Sequence, residues 1–378
     1  MNEEKKTIFR ADLIYFMIIC IFVGIRIMSA FNLFSIFGSY ANYIFSVVVQ
    51  IGLLFLFPLF LFSKLEKRKV KDTLSYFGFK KISLKAVLIS ICIGIFVYII
   101  NVYVANFFHS IIRIFGYNTS SSSLPEKYPF YQFIINIIFT AVLPGICEEV
   151  THRGMLLKAN GKLGMKKAIL ISGILFGLLH LNIEQFFYAS IIGVFFGYVA
   201  YMTNSIYPTI IFHFLNNGIG VFMGYATFKG WKISKFFSFI PNYFSSNILL
   251  AFFFLMIFIA LLVLLTIWFT KWLINETLKR DVNIAKKQIY NDSLRQIYLS
   301  EIEKSKFELI NGKVDDDFDK VYGLEGKIED ILSKNIPDTL KNNSDSLVKP
   351  NFPTKLLLIS SFVLMIIITI FTFIWGIL

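Results

Sequence analysis

Glu148 and Glu149 stand side by side in LPGICEEVTHRG, at the end of the apolar run from Tyr131 to Cys147. An unpaired charge in such a run is expensive, so an ionisable residue there is a functional-site hypothesis by default. Of the chain's 24 acidic residues, 15 lie between Lys271 and Thr354, and almost no other carboxylate interrupts a long hydrophobic stretch. On a helix through 148–153, Glu149 and Arg153 are four residues apart on one face, in the favoured acid-before-base order, and neutralise one another. Glu148 is turned by about 100° from Glu149. It has no basic residue three or four positions away, so another helix, water or protonation must deal with its charge. A carboxylate desolvated in this way has the makings of a general base that takes a proton from water.

Two later apolar stretches supply partners. His180 ends Phe176-Gly177-Leu178-Leu179-His180, and His213 and Asn217 lie four apart, on one helix face. Singly, a buried histidine is more often hydrogen-bonded to a neighbouring helix than catalytic, and Asn217 alone reads as interhelical glue. Jointly, Glu148, His180, His213 and Asn217 amount to a base, a water-orienting imidazole and donors for an oxyanion. His152, one turn beyond Glu148, opens a rival chemistry: with His180 and His213 it could furnish a catalytic zinc site. It could equally lie at a membrane interface and do nothing.

These residues need helices to hold them. With 56% hydrophobic, 17% aromatic and 16% charged residues, the chain is far from a soluble average. The expected fold is all-α, a polytopic transmembrane helix bundle. Crossing a bilayer takes about 20 apolar residues, and such runs fall at 13–36, 43–63, 86–107, 130–150, 168–183, 186–203, 205–225, 247–270 and 356–377. That is eight core spans plus one at the C-terminal end. Gly173 and Gly177 give the fifth a small face for close helix approach.

The net charge of +13 raises the question of nucleic acid, and its distribution answers it. Residues 271–354 hold 14 basic and 15 acidic residues; the remainder of the chain holds 23 and 9. The excess clusters in alternate loops: Lys5, Lys6 and Arg10, then Lys64 to Lys85, then Lys158 to Lys167, then Lys271, Lys279 and Arg280. By the positive-inside rule these loops, and the N-terminus, are cytoplasmic, while the nearly uncharged 108–129 loop and the C-terminus are outside. Lys229, Lys232 and Lys235 are the local exception. The expected location is a cell membrane, with no nucleic-acid partner. Arg26 and the lack of a small-x-small cleavage site make the first apolar stretch a retained span, not a signal peptide. Cys20, Cys92 and Cys147 sit in apolar segments at unrelated spacings and form no metal or disulfide pattern.

The domain reading is a bundle over 1–271, a cytoplasmic insert of amphipathic helix and loop over 272–354, and a last span over 355–378. Within the insert, Leu294, Ile297, Tyr298 and Ile302 have helical spacing, and Asp315-Asp316-Asp317-Phe318-Asp319 lacks the glycine and glutamate of a calcium loop. The insert is a candidate site for a cytoplasmic partner, or a tether.

Glu148 to Arg153 fits EExxxR, Phe176 to His180 fits FxxxH, and His213 to Asn217 fits HxxxN. In this order and spacing, over roughly residues 45–225, the chain resembles the CPBP family, also called Abi or CAAX-protease-like proteins; Pro144 and Gly145 add to the likeness. The resemblance implies a glutamate-dependent intramembrane endopeptidase akin to the type II CAAX prenyl protease, needing no cofactor or metal. Carried over by position, Glu148 would activate water with His180, His213 and Asn217 would form the oxyanion hole, and Glu149 and Arg153 would organise the site. His152 departs from the family's usual apolar or aromatic residue, and the insert lies outside its common core.

The expected function is hydrolysis of a peptide bond in a small or membrane-associated precursor reaching the site from the cytoplasmic side. The Ile, Asn, Lys and Phe bias points to an AT-rich bacterium, where a bacteriocin or pheromone precursor is a better substrate than a prenylated protein. The alternative is a non-catalytic scaffold or bacteriocin self-immunity factor that keeps the same polar constellation. A proton-relaying transporter is a third class, for which no inverted repeat is visible.

Overall fold

The structure, a computed structural model, describes residues 3–117, 127–238, 248–291 and 350–377. Every regular element among them is helical. In chain order these are α1 (Glu3–Ala30), α2 (Ala41–Leu65), the short α3 (Val70–Tyr76), α4 (Leu84–Ile114), α5 (Phe130–Leu163), α6 (Met165–Leu179), α7 (Ile183–Thr203), α8 (Tyr207–Phe228), α9 (Ile248–Asn291) and α10 (Phe352–Ile377). The protein is a multi-pass membrane protein: seven of these helices are long and apolar enough to cross a bilayer.

Nine spans were expected, and the two that fall short, α6 and α8, carry His180 and the His213–Asn217 pair. The 168–183 run forms α6, with only 15 residues. The 205–225 run forms α8, whose 22 residues are interrupted by His213, Asn216 and Asn217. The run 247–270 forms α9, which continues as helix to Asn291, into the segment read as the start of the insert. The insert's Leu294 to Ile302 pattern and its acidic run lie outside the described residues, as do residues 118–126 of the outer loop.

Two prolines shape the helices that meet at the site. Proline has no N–H for the carbonyl four residues earlier, and membrane helices tolerate it where a neighbour satisfies that carbonyl. In α2 the turns before Pro58 widen to π-geometry over Val48–Leu56, and in α5 those before Pro144 widen over Ile138–Val142. The carbonyl of Leu54, four residues before Pro58, accepts from Thr151 Oγ1 of α5 at 2.6 Å. The carbonyl of Thr140, four residues before Pro144, accepts from Asn217 Nδ2 of α8 at 3.0 Å. A third widened segment, Val150–Leu156, follows the glutamate pair.

The expected small face of α6 packs α6 on α7 backbone to backbone. A Cβ at Gly173 would stand 2.5 Å from Val194 N, and one at Gly177 would stand 2.7 Å from Phe186 O. On the other side, a Cβ at Gly145 would stand 3.2 Å from Phe214 N, which brings α5 close to α8 one turn before Glu149. Apolar side chains of α1, α2, α5, α6 and α10, among them Ile14, Leu53, Leu156, Leu178 and Met365, form the main core. A second cluster joins α4, α7, α8 and α9 through Ile93, Phe196, Phe212 and Leu273.

The basic loops gather at one end of the bundle. Lys162 pairs with Glu4 at 3.1 Å, Arg10 with Glu66 at 2.8 Å, and Ser205 Oγ donates to Lys80 O at 2.8 Å. Arg280 reaches the carbonyls of Lys81 and Thr203, each at 3.1 Å. Burial and desolvation hold the Lys80 ammonium below the usual lysine range. The opposite end is marked by His109 donating to Glu184 O at 3.2 Å and by the Tyr117–Phe373 and Tyr128–Tyr225 ring contacts.

Candidate active site

Glu148, His180, His213 and Asn217, drawn from α5, the end of α6 and α8, all line one cavity of about 640 Å³. Its base is Phe196 and His213, 1% and 4% exposed. Asn101 of α4, Gln185 and Tyr188 of α7, and Thr140, Gly220 and Val221 line it further out.

Glu148 is answered from another helix, as its sequence neighbours required. Gln50 Nε2, on the widened segment of α2, donates to Glu148 Oε1 at 2.9 Å, and His213 Nε2 lies 3.9 Å from Oε2. Gln50 went unremarked in the sequence, where a lone amide in the apolar run 43–63 was the available signal. Glu149 faces away from the cavity and is fully buried. Its Oε1 accepts from Arg153 Nη1 at 2.8 Å and from His213 Nδ1 at 3.0 Å. Arg153, also fully buried, donates through Nη2 to Gly193 O at 3.0 Å, and its guanidinium lies 4.4 Å over the Phe176 ring. The acid-base pair of the motif thus sets the histidine, because Glu149 fixes His213 Nδ1 as a donor and turns Nε2 to the cavity.

The Phe176 ring is the hub of this cluster. Its edge-to-face contacts reach His152 at 5.2 Å, His180 at 5.4 Å and His213 at 5.5 Å between centroids. His180 caps α6, where Nδ1 donates to Phe176 O at 3.1 Å and leaves Nε2 as an acceptor. His180 stands fifteen residues past the start of α6 at Met165 and lines this cavity.

Asn217 ends a chain of side-chain amides. Asn101 Nδ2 donates to Asn216 Oδ1 at 3.0 Å, Asn216 Nδ2 to Asn217 Oδ1 at 3.1 Å, and Asn217 Nδ2 to Thr140 O. Asn217's carbonyl is therefore occupied, while its second N–H is left over for a ligand. Neither Asn101 nor Asn216 carries a motif, and only their setting in apolar runs marked them.

His152 is not part of the cavity. It is fully buried, not at an interface, and its Nδ1 donates to the backbone carbonyl of Glu148 at 2.8 Å. Tyr15 Oη lies 3.2 Å from Nε2 and 3.1 Å from Leu175 O. Both ring nitrogens of His152 are thus engaged, away from the cavity that His180 and His213 line. Among the described residues no group of three or more His, Cys, Asp or Glu side chains is placed to hold a metal ion.

α5 continues fifteen residues past Glu148 to Leu163, so the carboxylate sits in the body of the helix and not at its cytoplasmic end. Between it and the basic loops, every residue from Val150 to Asn160 is buried, as are Phe212, Thr209 and the turn Thr203 to Ile206.

No curated protein and no solved structure matches the chain. Residues 130–219, which hold Glu148, Glu149, Arg153, Phe176, His180, His213 and Asn217, match the family model described as type II CAAX prenyl endopeptidase Rce1-like, in agreement with the resemblance drawn from the three motifs.

Proposed function

We propose that the protein is an intramembrane endopeptidase in which Glu148 activates water to hydrolyse a peptide bond of a small or membrane-associated precursor. The observation that carries this reading is the convergence on one cavity of a carboxylate, two imidazoles and an amide, with His213 Nε2 3.9 Å from Glu148 Oε2. The Rce1-like match over 130–219 supports it at family level.

In this mechanism a water between Glu148 and His180 gives a proton to the carboxylate as its oxygen attacks the scissile carbonyl carbon. The acceptor nitrogen His180 Nε2 orients the second O–H. The developing oxyanion is held by the free N–H of Asn217 beside His213, whose Nδ1 is held by Glu149. Glu148 then passes its proton to the departing amine as the C–N bond breaks. The products are a carboxylate and an amine, with no acyl-enzyme.

The test compares peptide termini in membranes and medium of cells carrying wild type or Glu148→Gln at equal abundance. Loss of a general base costs about 10²- to 10⁴-fold, so termini made by this protein vanish in the variant. An unchanged set of termini with any phenotype preserved would instead support a scaffold or self-immunity protein.

A further inference from the structure

The cavity has a closed end and an open end, and the open end faces away from the cytoplasmic side from which the substrate was expected to arrive. On every helix that lines it, the lining residues sit in the middle or on the half away from the basic loops: Asn101 and Ala105 on α4, Phe139 on α5, Gln185 on α7, Val221 on α8. Exposure rises in the same direction. Phe196 and His213 at the base are buried, whereas Thr140 and Gly220 are exposed. Toward the basic end, the slab from Val150 to Asn160 together with Thr203 to Ile206 and Phe212 is buried throughout, and Lys158 Nζ donates to Asn204 Oδ1 across it at 2.5 Å.

We propose that the substrate reaches Glu148 from the end of the bundle opposite the basic loops, which the positive-inside rule makes the extracytoplasmic half. The substrate class is then a peptide already inserted into or carried across the membrane, cleaved within its outward-facing part, and not a peptide delivered from the cytoplasm. Naming it a substrate rests on the peptidase reading above; the direction of access does not. The lining chemistry agrees with an unwound peptide. A membrane segment must leave its helix to present a carbonyl to water, and its freed N–H and C=O groups then need partners. Asn101, Gln185, Asn216 and Asn217 place four side-chain amides along the open part of the cavity.

The experiment is thiol accessibility in the full-length chain, with wild type, whose cysteines are Cys20, Cys92 and Cys147, as the blank. Gly220→Cys probes the mouth, because no atom lies within 4 Å of a Cβ there and the variant folds. Thr140→Cys is the second probe, Lys67→Cys reports the basic end and the exposed Lys232→Cys the opposite end. A charged, membrane-impermeant maleimide is applied to intact cells and to inverted vesicles. The expected result is that Gly220→Cys and Thr140→Cys are labelled with Lys232→Cys in intact cells, while Lys67→Cys is labelled only after inversion. Mouth cysteines labelled only with Lys67→Cys, or from neither side while both reporters react, overturn the proposal, as does Lys232→Cys facing the cytoplasm. The same pattern is read in Glu148→Gln, so failure of the peptidase reading leaves the access result standing and the reverse.

Discussion

Thr151 contributes to this protein through a carbonyl that stands four residues before a proline, and the size of that contribution can be worked out. Its Oγ1 donates to Leu54 O at 2.6 Å, with Thr151 fully buried and Leu54 2% exposed. Thr151→Val keeps the side-chain outline and removes only the hydroxyl. Hydrogen bonds between membrane helices average about 0.6 kcal/mol and reach about 1.7 kcal/mol, and a buried acceptor left without its partner costs about 1–3 kcal/mol. A short bond in a fully buried place belongs near the top of the first range, so Thr151→Val should destabilise by about 1.5 kcal/mol. Pro58, four residues after Leu54, has no N–H to offer that carbonyl at the α-helical pitch. In a Pro58→Ala chain the new N–H takes the Leu54 carbonyl, and the same Thr151→Val change should cost less than about 0.5 kcal/mol. Wild type, both single variants and the double variant would be unfolded in detergent with rising dodecyl sulfate, followed by helical circular dichroism, and read as a double-mutant cycle. An equal cost for Thr151→Val in both backgrounds would refute the reasoning.

Arg153→Ala strips the buried Glu149 of its partner and should cost about 3–5 kcal/mol, seen as loss of monodisperse protein on purification. Gly177→Ala drives a methyl into Phe186 O and Ser190 and should lower stability by about 1–3 kcal/mol, measured as an earlier thermal transition. Gln50→Leu removes the donor to Glu148 Oε1; about 1.4 kcal/mol of lost orientation means roughly tenfold less of each Glu148-dependent terminus at unchanged folded yield. His152→Phe should lower the melting temperature and keep those termini, since neither ring nitrogen faces the cavity.

The sequence made the chemistry more legible than the packing. Glu148, His180, His213 and Asn217 could be gathered from their spacing because each is a polar residue in an apolar run, and the structure puts all four on one cavity. His152 meets the backbone of Glu148 and not its carboxylate, and its ring packs against Tyr15 and Phe176, tertiary neighbours that a four-residue step does not reveal. Hydrophobic runs located the helices but not their ends. The run that stops near 150 belongs to a helix that continues to Leu163, because Thr151, His152 and Arg153 are buried against protein and need no apolar side chain. Gln50, Asn101 and Asn216 act through tertiary neighbours, on which local spacing carries no information.

The buried slab between Glu148 and the basic loops has an electrical consequence. A water-bearing cavity that dead-ends there shares the potential of the compartment it opens to, so a membrane potential falls across the closed part and not across the whole bundle. Each elementary charge moved through that drop is worth about 2.3 kcal/mol per 100 mV. Arg153 and Glu149 lie inside the slab or at its edge as a neutral pair, fully buried and 2.8 Å apart, so the pair as a unit carries no net charge for the field to pull. On the proposed route of access, water for hydrolysis would come from one face while the buried slab closes the other to ions.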